Sequence, residues 1–179
     1  MTVQSRYGVR VQRQAPTKLY SFTRFFQGFE KIPAIRELFG PRTDEILRRE
    51  QVEFFSTRFG YMGTSDDDGH LLINTRHLHD SPFEVVYLDL VHELRHVKQF
   101  RDGKPLFYPK LSYVDAPSEI EAYRFTVAEG RRIGMSERAL FDYLKTEWMT
   151  DAEHRRLARR CGLSGKARPV RGHRNRIRR

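Results

Sequence analysis

The sequence predicts a compact α+β domain with a small antiparallel sheet, a long central helix and a second helix that follows it. Three observations favour this class: a segment rich in aromatic and β-branched residues, a short apolar run after it, and a helical pattern with clear start and stop signals. The 179 residues are enough to bury one core of ordinary size. We therefore expect one domain over residues 20–162, between an N-terminal extension (1–19) and a basic tail (163–179).

The first part of this domain is expected to be helical and apolar. One or two short helices are predicted over residues 32–40 and 42–50, with a break at Gly40-Pro41. Ahead of them, four aromatic residues recur at helical spacing, and we expect them in the core: Phe22, Phe25, Phe26 and Phe29.

Two strands are expected ahead of the central helix. Residues 52–61 and 70–74 carry the strand-forming side chains, and Asp66-Asp67-Asp68-Gly69 between them is typical of a turn. We expect the two strands to pair antiparallel, with the second running towards the central helix.

The central helix is marked at both ends. Ser81, Pro82 and Glu84 are typical of a helix start closed by a capping box. Gly103 followed by Pro105 is typical of a helix end. About twenty residues lie between these signals, which is near the upper end for a helix of a globular protein.

Within that helix, His92-Glu93-Leu94-Arg95-His96 is the motif that indicates a chemistry. Residues four apart lie about 40° apart around a helix, so His92 and His96 can reach one metal ion from the same face. Glu93 projects about 100° from His92, within reach of a water held by that ion. The alternative is a surface helix with two solvent-facing histidines and an ordinary glutamate.

A catalytic zinc site needs a third protein ligand, with the fourth position open to water. The helix predicted from Ser118 to Gly130 offers Glu119 and Glu121. These two side chains are about 200° apart on a helix, so only one of them can face the metal. Either could instead be a favourable charge in the first turn of that helix.

Two further helices are predicted before the tail. The first, from Ser136 to Met149, starts with a capping serine, and its apolar residues, Trp148 among them, are spaced to cover a core. The second starts at the capping box Thr150-Asp151-Ala152-Glu153 and runs through Arg160.

The histidine motif and the segment Glu119-Ile120-Glu121-Ala122 together resemble the glutamate zincins, the thermolysin-like class, in their small single-domain form. The ImmA/IrrE-type peptidases share this arrangement, and their later helix carries an E-x-E-A-N-like pattern. The resemblance implies a compact zincin fold and a zinc-dependent metallopeptidase, a hydrolase that cleaves peptide bonds.

The resemblance also implies the roles of particular residues. His92, His96 and Glu119 would bind Zn²⁺, with Glu121 as the fallback for the third ligand. Glu93 would be the general base that takes a proton from a metal-activated water and then gives it to the departing amine.

The family pattern carries three further expectations. Tyr123 stands where these peptidases usually have an Asn or Asp that supports a ligand, so this chain departs from the pattern there. An oxyanion stabiliser is expected near the open metal position, with Tyr113 as the candidate and with Tyr108 and Arg124 also available. In zincins the strand ahead of the metal helix commonly lies at the sheet edge, where an extended peptide can add as another strand.

Positive charge is concentrated after residue 150. Residues 151–179 carry eleven Lys or Arg against two acids, a net charge of +9, so residues 1–150 contribute only +1 of the total of +10. Residues 166–179 carry seven of these basic residues and no acid, together with Gly and Pro, and this composition favours a disordered arm that contacts the phosphates of DNA or RNA without sequence specificity. A solubilising tail, or contact with an acidic protein, is the alternative. The expected contacts are Arg168, Arg171, Arg174, Arg176, Arg178 and Arg179.

The remaining features concern the cellular compartment in which the protein is expected. The single cysteine, Cys161, permits no internal disulfide and favours a reducing cytoplasm. No apolar run is long enough to cross a bilayer, and no membrane contact is expected. Three hypotheses remain. The first is a zinc metallopeptidase that acts on protein or peptide substrates near nucleic acid, and the second is a nucleic-acid-binding module with a structural or vestigial metal site. The third is a structural or interaction protein that binds neither metal nor nucleic acid.

Overall fold

Two long helices pack against each other at the centre of the fold, and they carry the histidine motif and the later glutamates. The computed structural model describes residues 2–163. Over this range the helices are α1 (Val3–Tyr7), α2 (Phe22–Phe25), α3 (Pro33–Phe39), α4 (Thr43–Arg49), α5 (Thr75–Asp80), α6 (Phe83–Arg101), α7 (Pro117–Arg132), α8 (Glu137–Tyr143) and α9 (Asp151–Arg160). The strands are β1 (Arg10–Val11), β2 (Leu19–Ser21), β3 (Phe26–Gln27), β4 (Gln51–Phe55), β5 (Met62–Thr64) and β6 (Leu71–Asn74). The predicted compact α+β class is thereby confirmed.

The main sheet is mixed rather than antiparallel. Its strand order is β2-β4-β6-β5. β2 pairs antiparallel with β4, and β5 pairs antiparallel with β6. β4 and β6, however, run parallel, with Val52 opposite Leu71. The predicted antiparallel pairing of residues 52–61 with 70–74 is therefore wrong.

The error arises because the turn signal belongs to a shorter hairpin. β4 ends at Phe55, and the chain turns back before β5 begins at Met62. The predicted turn does form, with Gly69 in a left-handed conformation (φ 82°), but it joins β5 to β6. Since β5 takes the antiparallel position on one side of β6, β4 pairs on the other side. β5 is left as the edge strand of the sheet, beside α6.

Part of the predicted N-terminal extension, residues 1–19, belongs to the folded unit. β1 pairs antiparallel with β3, and Val9, just before β1, is buried. β2 begins at Leu19 and extends the main sheet. The four aromatic residues expected in the core are buried there, which confirms that prediction: Phe22, Phe25, Phe26 and Phe29.

α6 ends where the sequence predicts, but it does not begin with the predicted cap. Gly103 is left-handed (φ 71°) just after the helix ends at Arg101. The predicted capping box is wrong, because α6 begins at Phe83 without a side-chain cap. The Ser81 hydroxyl instead lies 2.9 Å from Nδ1 of His77.

α7 begins at Pro117, one residue earlier than expected. Ser118 therefore lies inside its first turn and does not cap it. The Ser118 hydroxyl donates to the carbonyl of Leu106 (2.8 Å), which ties the loop between α6 and α7 to the start of α7.

The last two helices follow the predicted caps. α8 has the predicted serine cap, Ser136, and α9 opens with the predicted capping box of Thr150 and Glu153. α8 is shorter than predicted, however, since it ends at Tyr143. Trp148 consequently lies beyond the helix and is 57% exposed, so its predicted place in the core is wrong.

α6 is buried on almost every side, which positions the motif inside the molecule. Leu90, Leu94 and Val97 face the hydrophobic core on one side. His92 and His96, on another side, are covered by α7 and by the edge strand. Within residues 2–163, no helix combines the length and the apolar character that crossing a bilayer requires.

Candidate metal centre

One turn of α6 brings the two predicted histidines together. The Nε2 atoms of His92 and His96 are 3.0 Å apart. Each residue is almost fully buried, with 5% of its surface exposed. Since both imidazoles present the same nitrogen to the same point, they can bind one ion together.

The third side chain of this group comes from the first turn of α7. Glu119 Oε2 lies 3.3 Å from Nε2 of His92, and Glu119 Oε1 lies 3.5 Å from Nε2 of His96. Among residues 2–163, these three form the one group of potential ligand atoms that all lie within 4.8 Å of one another. The group could therefore hold a metal ion.

The spacing of the atoms fits such an ion. Ligand atoms about 2.0–2.2 Å from a tetrahedral zinc ion are roughly 3.3–3.6 Å from one another. The two imidazole nitrogens are 3.0 Å apart, and each lies 3.3 or 3.5 Å from a different oxygen of the Glu119 carboxylate. Glu119 Oε2 is buried and has no hydrogen-bond partner among the described residues. Leaving a buried carboxylate oxygen unpaired is unfavourable, and a cation at this point would satisfy it.

The local charges also favour a cation. Burial alone would lower the pKa of His96, but the carboxylates of Glu119 and Glu93 outweigh burial and raise that pKa to about 9. Burial alone would raise the pKa of Glu119, but the close approach of His92 and His96 outweighs burial and holds that pKa well below its usual range. These side chains therefore attract positive charge to the point between the imidazoles.

Glu93 lies beside this group and is held by the edge strand. It is 7% exposed, and burial raises the pKa of its carboxyl group. The Thr64 hydroxyl on β5 lies 3.0 Å from Glu93 Oε2 and 3.2 Å from the Glu93 carbonyl oxygen, so it can donate to either. The sequence did not indicate Thr64, because a threonine in a short strand gives no sign of the side chain with which it will form a hydrogen bond in the folded protein.

A chain of polar side chains fixes the other nitrogen of His96. Its Nδ1 lies 2.8 Å from Gln99 Oε1, so the Nδ1–H donates to that amide oxygen and Nε2 is the nitrogen that can lose its proton and bind a metal ion. Gln99 Nε2 donates to Glu121 Oε2 (2.6 Å), and Arg95 donates to Glu121 Oε1 (2.6 Å). The fallback ligand Glu121 is therefore engaged in this network and is not grouped with the imidazoles.

His92 has no equivalent support within the described part of the chain. Its Nδ1 is buried without a hydrogen-bond partner, and its ring packs on Tyr123 with the centroids 4.3 Å apart. An aromatic ring thus occupies the position where the resembling peptidases usually carry Asn or Asp. The sequence analysis also missed Gln99, although its spacing of three residues from His96 on a helix was an available signal.

The group opens into a cleft of about 340 Å³. Tyr113, the predicted oxyanion stabiliser, lines this cleft, and its hydroxyl lies 2.9 Å from that of Tyr123. Burial raises the pKa of Tyr113 well above its usual value, so its hydroxyl keeps its proton at neutral pH. Phe107 also lines the cleft and is 70% exposed. The other two candidates, Tyr108 and Arg124, line a separate cavity.

The predicted nucleic-acid contacts lie beyond the described residues. They are Arg168, Arg171, Arg174, Arg176, Arg178 and Arg179. α9 leads towards that end of the chain and carries two exposed arginines, Arg155 and Arg159. Across residues 2–163, no acid forms an ion pair with either of them, whereas Arg156 and Arg160 both pair with Asp115.

Comparisons of the chain with protein-family models, with curated proteins and with solved structures found no match. The function is therefore inferred from the chemistry of the three candidate ligands, from their geometry, and from the cleft into which they open.

Proposed function

We propose that this chain is a zinc-dependent metallopeptidase of the glutamate-zincin class. The observation that carries the proposal is the buried convergence of His92 Nε2, His96 Nε2 and a Glu119 carboxylate oxygen, with Glu93 beside them in one cleft. Two imidazoles and a carboxylate are the three protein ligands of one established type of catalytic zinc site. A structural zinc site, in contrast, closes all four positions with protein ligands.

In the proposed reaction, the metal ion activates the water and the carbonyl, and side chains of the protein transfer the proton and stabilise the developing negative charge. Zinc, when bound, acts as a Lewis acid that polarises a carbonyl and lowers the pKa of water to about 7. Glu93 accepts the proton of the attacking water and passes it to the departing amine. The Thr64 hydroxyl holds the Glu93 carboxylate in one orientation while it does so. Tyr113, with a protonated hydroxyl in the same cleft, donates to the oxygen on which negative charge develops.

The surroundings of the cleft suit an extended polypeptide. β5 is an edge strand of the sheet, and its Met62, Gly63 and Thr64 line the cleft. An extended peptide can add to such an edge through main-chain hydrogen bonds. Phe107 and Trp148 offer exposed apolar surface to its side chains.

The test compares wild type with Glu93→Gln, both loaded with zinc and assayed on casein. We expect casein hydrolysis to fall at least about 100-fold in Glu93→Gln, because the general base is lost. The zinc content should remain near one per chain, because the three ligands are intact. Glu84→Gln, at an exposed position in the first turn of the same helix, is the matched control and should keep both activity and zinc. Bound zinc without Glu93-dependent hydrolysis would contradict the proposal.

A second candidate function is attachment to nucleic acid, with the metal site in a structural or vestigial role. It is favoured by the net charge of +9 over residues 151–179 and by the exposed arginines of α9, Arg155 and Arg159. If the chain attaches to nucleic acid, its binding of a fluorescent duplex DNA should weaken steeply as salt rises and should survive His92→Ala. This function is compatible with peptide hydrolysis in the same cytoplasmic protein. Absence of binding at low salt would rule attachment out.

A further inference from the structure

A second cavity, of about 270 Å³, adjoins the metal centre. It shares part of its lining with the cleft described above: Met62, His92, Glu93, Tyr113 and Trp148. A group bound in this cavity would therefore lie next to the proposed reacting bond. The volume is below the range of about 300–1,000 Å³ that is typical of small-molecule pockets, and it suits a single side chain.

Aromatic rings form much of the wall of this cavity: Tyr61, Tyr113, Tyr123, Tyr143 and Trp148. The ring of Trp148 bridges two of them, with its centroid 5.5 Å from that of Tyr61 and 6.1 Å from that of Tyr113. Burial raises the pKa of Tyr61 and Tyr143, so these phenols stay neutral at physiological pH. Neutral aromatic faces attract cations.

Asp89, on α6, adds a negative charge to this lining. Its Oδ2 accepts a hydrogen bond from Nε2 of His77 (2.6 Å), and its Oδ1 accepts one from the Tyr143 hydroxyl (2.8 Å). The Ser81 hydroxyl lies 2.9 Å from Nδ1 of His77, so the imidazole is held on both sides. These hydrogen bonds orient the carboxylate and leave each of its oxygens a second lone pair. Within residues 2–163, no lysine or arginine forms an ion pair with Asp89.

The other charged residues of the lining have their own partners. The Lys145 ammonium donates to the Met149 carbonyl and to Asp151 Oδ1, both at 2.8 Å. Asp142 accepts from Arg138 at 2.8 Å. Lys145 is therefore held by other acceptors, and it leaves Asp89 open to a cation from outside.

We propose that this cavity binds the cationic side chain of an arginine or lysine, with Asp89 as the specificity-determining residue. A cation there gains both a charge-assisted hydrogen bond and contact with the aromatic faces. An uncharged side chain would desolvate the carboxylate of Asp89 without pairing it. The assignment of that side chain to a peptide substrate rests on the proposed function, whereas binding of the cation does not.

Trp148 provides a direct readout, because it is the only tryptophan in the chain and it lines the cavity. The full-length protein is titrated with N-acetyl-arginine amide and with N-acetyl-citrulline amide, its uncharged counterpart of nearly the same shape. We expect the arginine amide to change the tryptophan fluorescence with an affinity at least about tenfold higher. Asp89→Asn should abolish this preference. Asp142→Asn, which removes another lining carboxylate, should retain it.

Equal affinity for the two amides in wild type would overturn the proposal, and this comparison depends on no variant. An arginine preference that persists in folded Asp89→Asn would also overturn it. Neither titration requires peptide cleavage. Loss of the arginine preference with casein hydrolysis intact would therefore overturn the cation pocket alone, and an arginine preference without hydrolysis would overturn the metallopeptidase proposal alone.

Discussion

Glu119 and Glu121 lie two positions apart on α7, and the packing of α6 gives them different surroundings. The Glu119 side chain is 15% exposed and lies against two imidazole nitrogens. The Glu121 side chain is 35% exposed and accepts hydrogen bonds from Arg95 and Gln99. Glu119 is thus a candidate metal ligand, whereas Glu121 supports the network that orients His96. The difference arises because the two side chains lie on different sides of α7 and contact different residues of α6.

The two sides of α7 are nevertheless connected. Glu121 fixes the amide of Gln99, and Gln99 in turn accepts from Nδ1 of His96. The supporting carboxylate therefore orients one of the candidate ligands through a single intervening side chain. Variants that separate the two roles test this reading.

The largest effect is expected from Glu119→Ala. Removal of one of three protein ligands should abolish stoichiometric zinc binding, whereas Glu121→Ala should retain about one zinc per chain. The measurement is the zinc content after dialysis against a weak chelator. Retention of zinc by Glu119→Ala, together with its loss from Glu121→Ala, would reverse the assignment of the two glutamates.

Glu50 differs from both Glu119 and Glu121, because it is a buried carboxylate that pairs with no lysine or arginine of residues 2–163. Burial raises its pKa to about 7, above the value of about 4.3 expected in the unfolded chain. The folded state therefore holds the proton more tightly, and stability falls as the pH rises from about 4 to 7. Glu50→Gln should raise the free energy of unfolding by about 3 kcal/mol at pH 8.

Urea denaturation of wild type and Glu50→Gln at pH 8 and at pH 4.5 measures this effect. The gain from the substitution should shrink to well under 1 kcal/mol at pH 4.5, because the wild-type carboxyl is then protonated in the folded state and only about half ionised in the unfolded state. A gain that is the same at both pH values would show that the charge of Glu50 is not its cause.

Glu121→Gln should have a smaller effect on the metal. Loss of the charge that fixes Gln99 should weaken zinc binding by about tenfold, the lower end of the range for groups that orient a ligand. Zinc titration against a competing chelator measures this change. An unchanged affinity would show that Gln99 orients His96 without help from Glu121.

Acid should remove the contribution of Glu121 in a defined window. Burial alone would raise the pKa of Glu121, but hydrogen bonds from Gln99 and Arg95 outweigh burial and lower that pKa to about 2. The stabilisation is therefore complete above the unfolded-state pKa of about 4.3, and it is lost as the pH falls through about 2. Acid unfolding of the metal-free protein should show this component in wild type and lack it in Glu121→Gln.

The smallest effect is expected at Thr64. Thr64→Val keeps the shape of the side chain but removes the hydrogen bond to Glu93, so kcat on casein should fall several-fold, with about 1 kcal/mol lost from a single hydrogen bond. KM should stay nearly unchanged, and Thr64→Ser should restore most of kcat. A rise in KM that serine does not correct would indicate that Thr64 shapes the cleft and does not orient Glu93.

The sequence predicted the parts of the site that lie within one helix. The spacing of His92 and His96 on α6 determines their common face, and burial of that helix was visible in the apolar residues around them. The choice between Glu119 and Glu121 needed the family resemblance, because both are in the same first turn. Only the packing of α7 on α6 separates them.

The parts that the sequence analysis missed depend on contacts between elements. β4 pairs parallel with β6 because β5 already pairs antiparallel with the other side of β6. The residues of β4 and β6 alone do not indicate where β5 lies. Thr64 reaches Glu93, and His77 reaches Asp89, across the fold. Trp148 has an apolar side chain at helical spacing, but α8 ends before it, and it lines the cleft instead.

The metal centre can be tested by anomalous diffraction at the zinc absorption edge, from crystals of the zinc-loaded protein. We expect one strong peak about 2.0–2.2 Å from Nε2 of His92, from Nε2 of His96 and from a carboxylate oxygen of Glu119. A peak at any other place in the molecule, or imidazoles that remain outside bonding distance of the ion, would contradict this expectation.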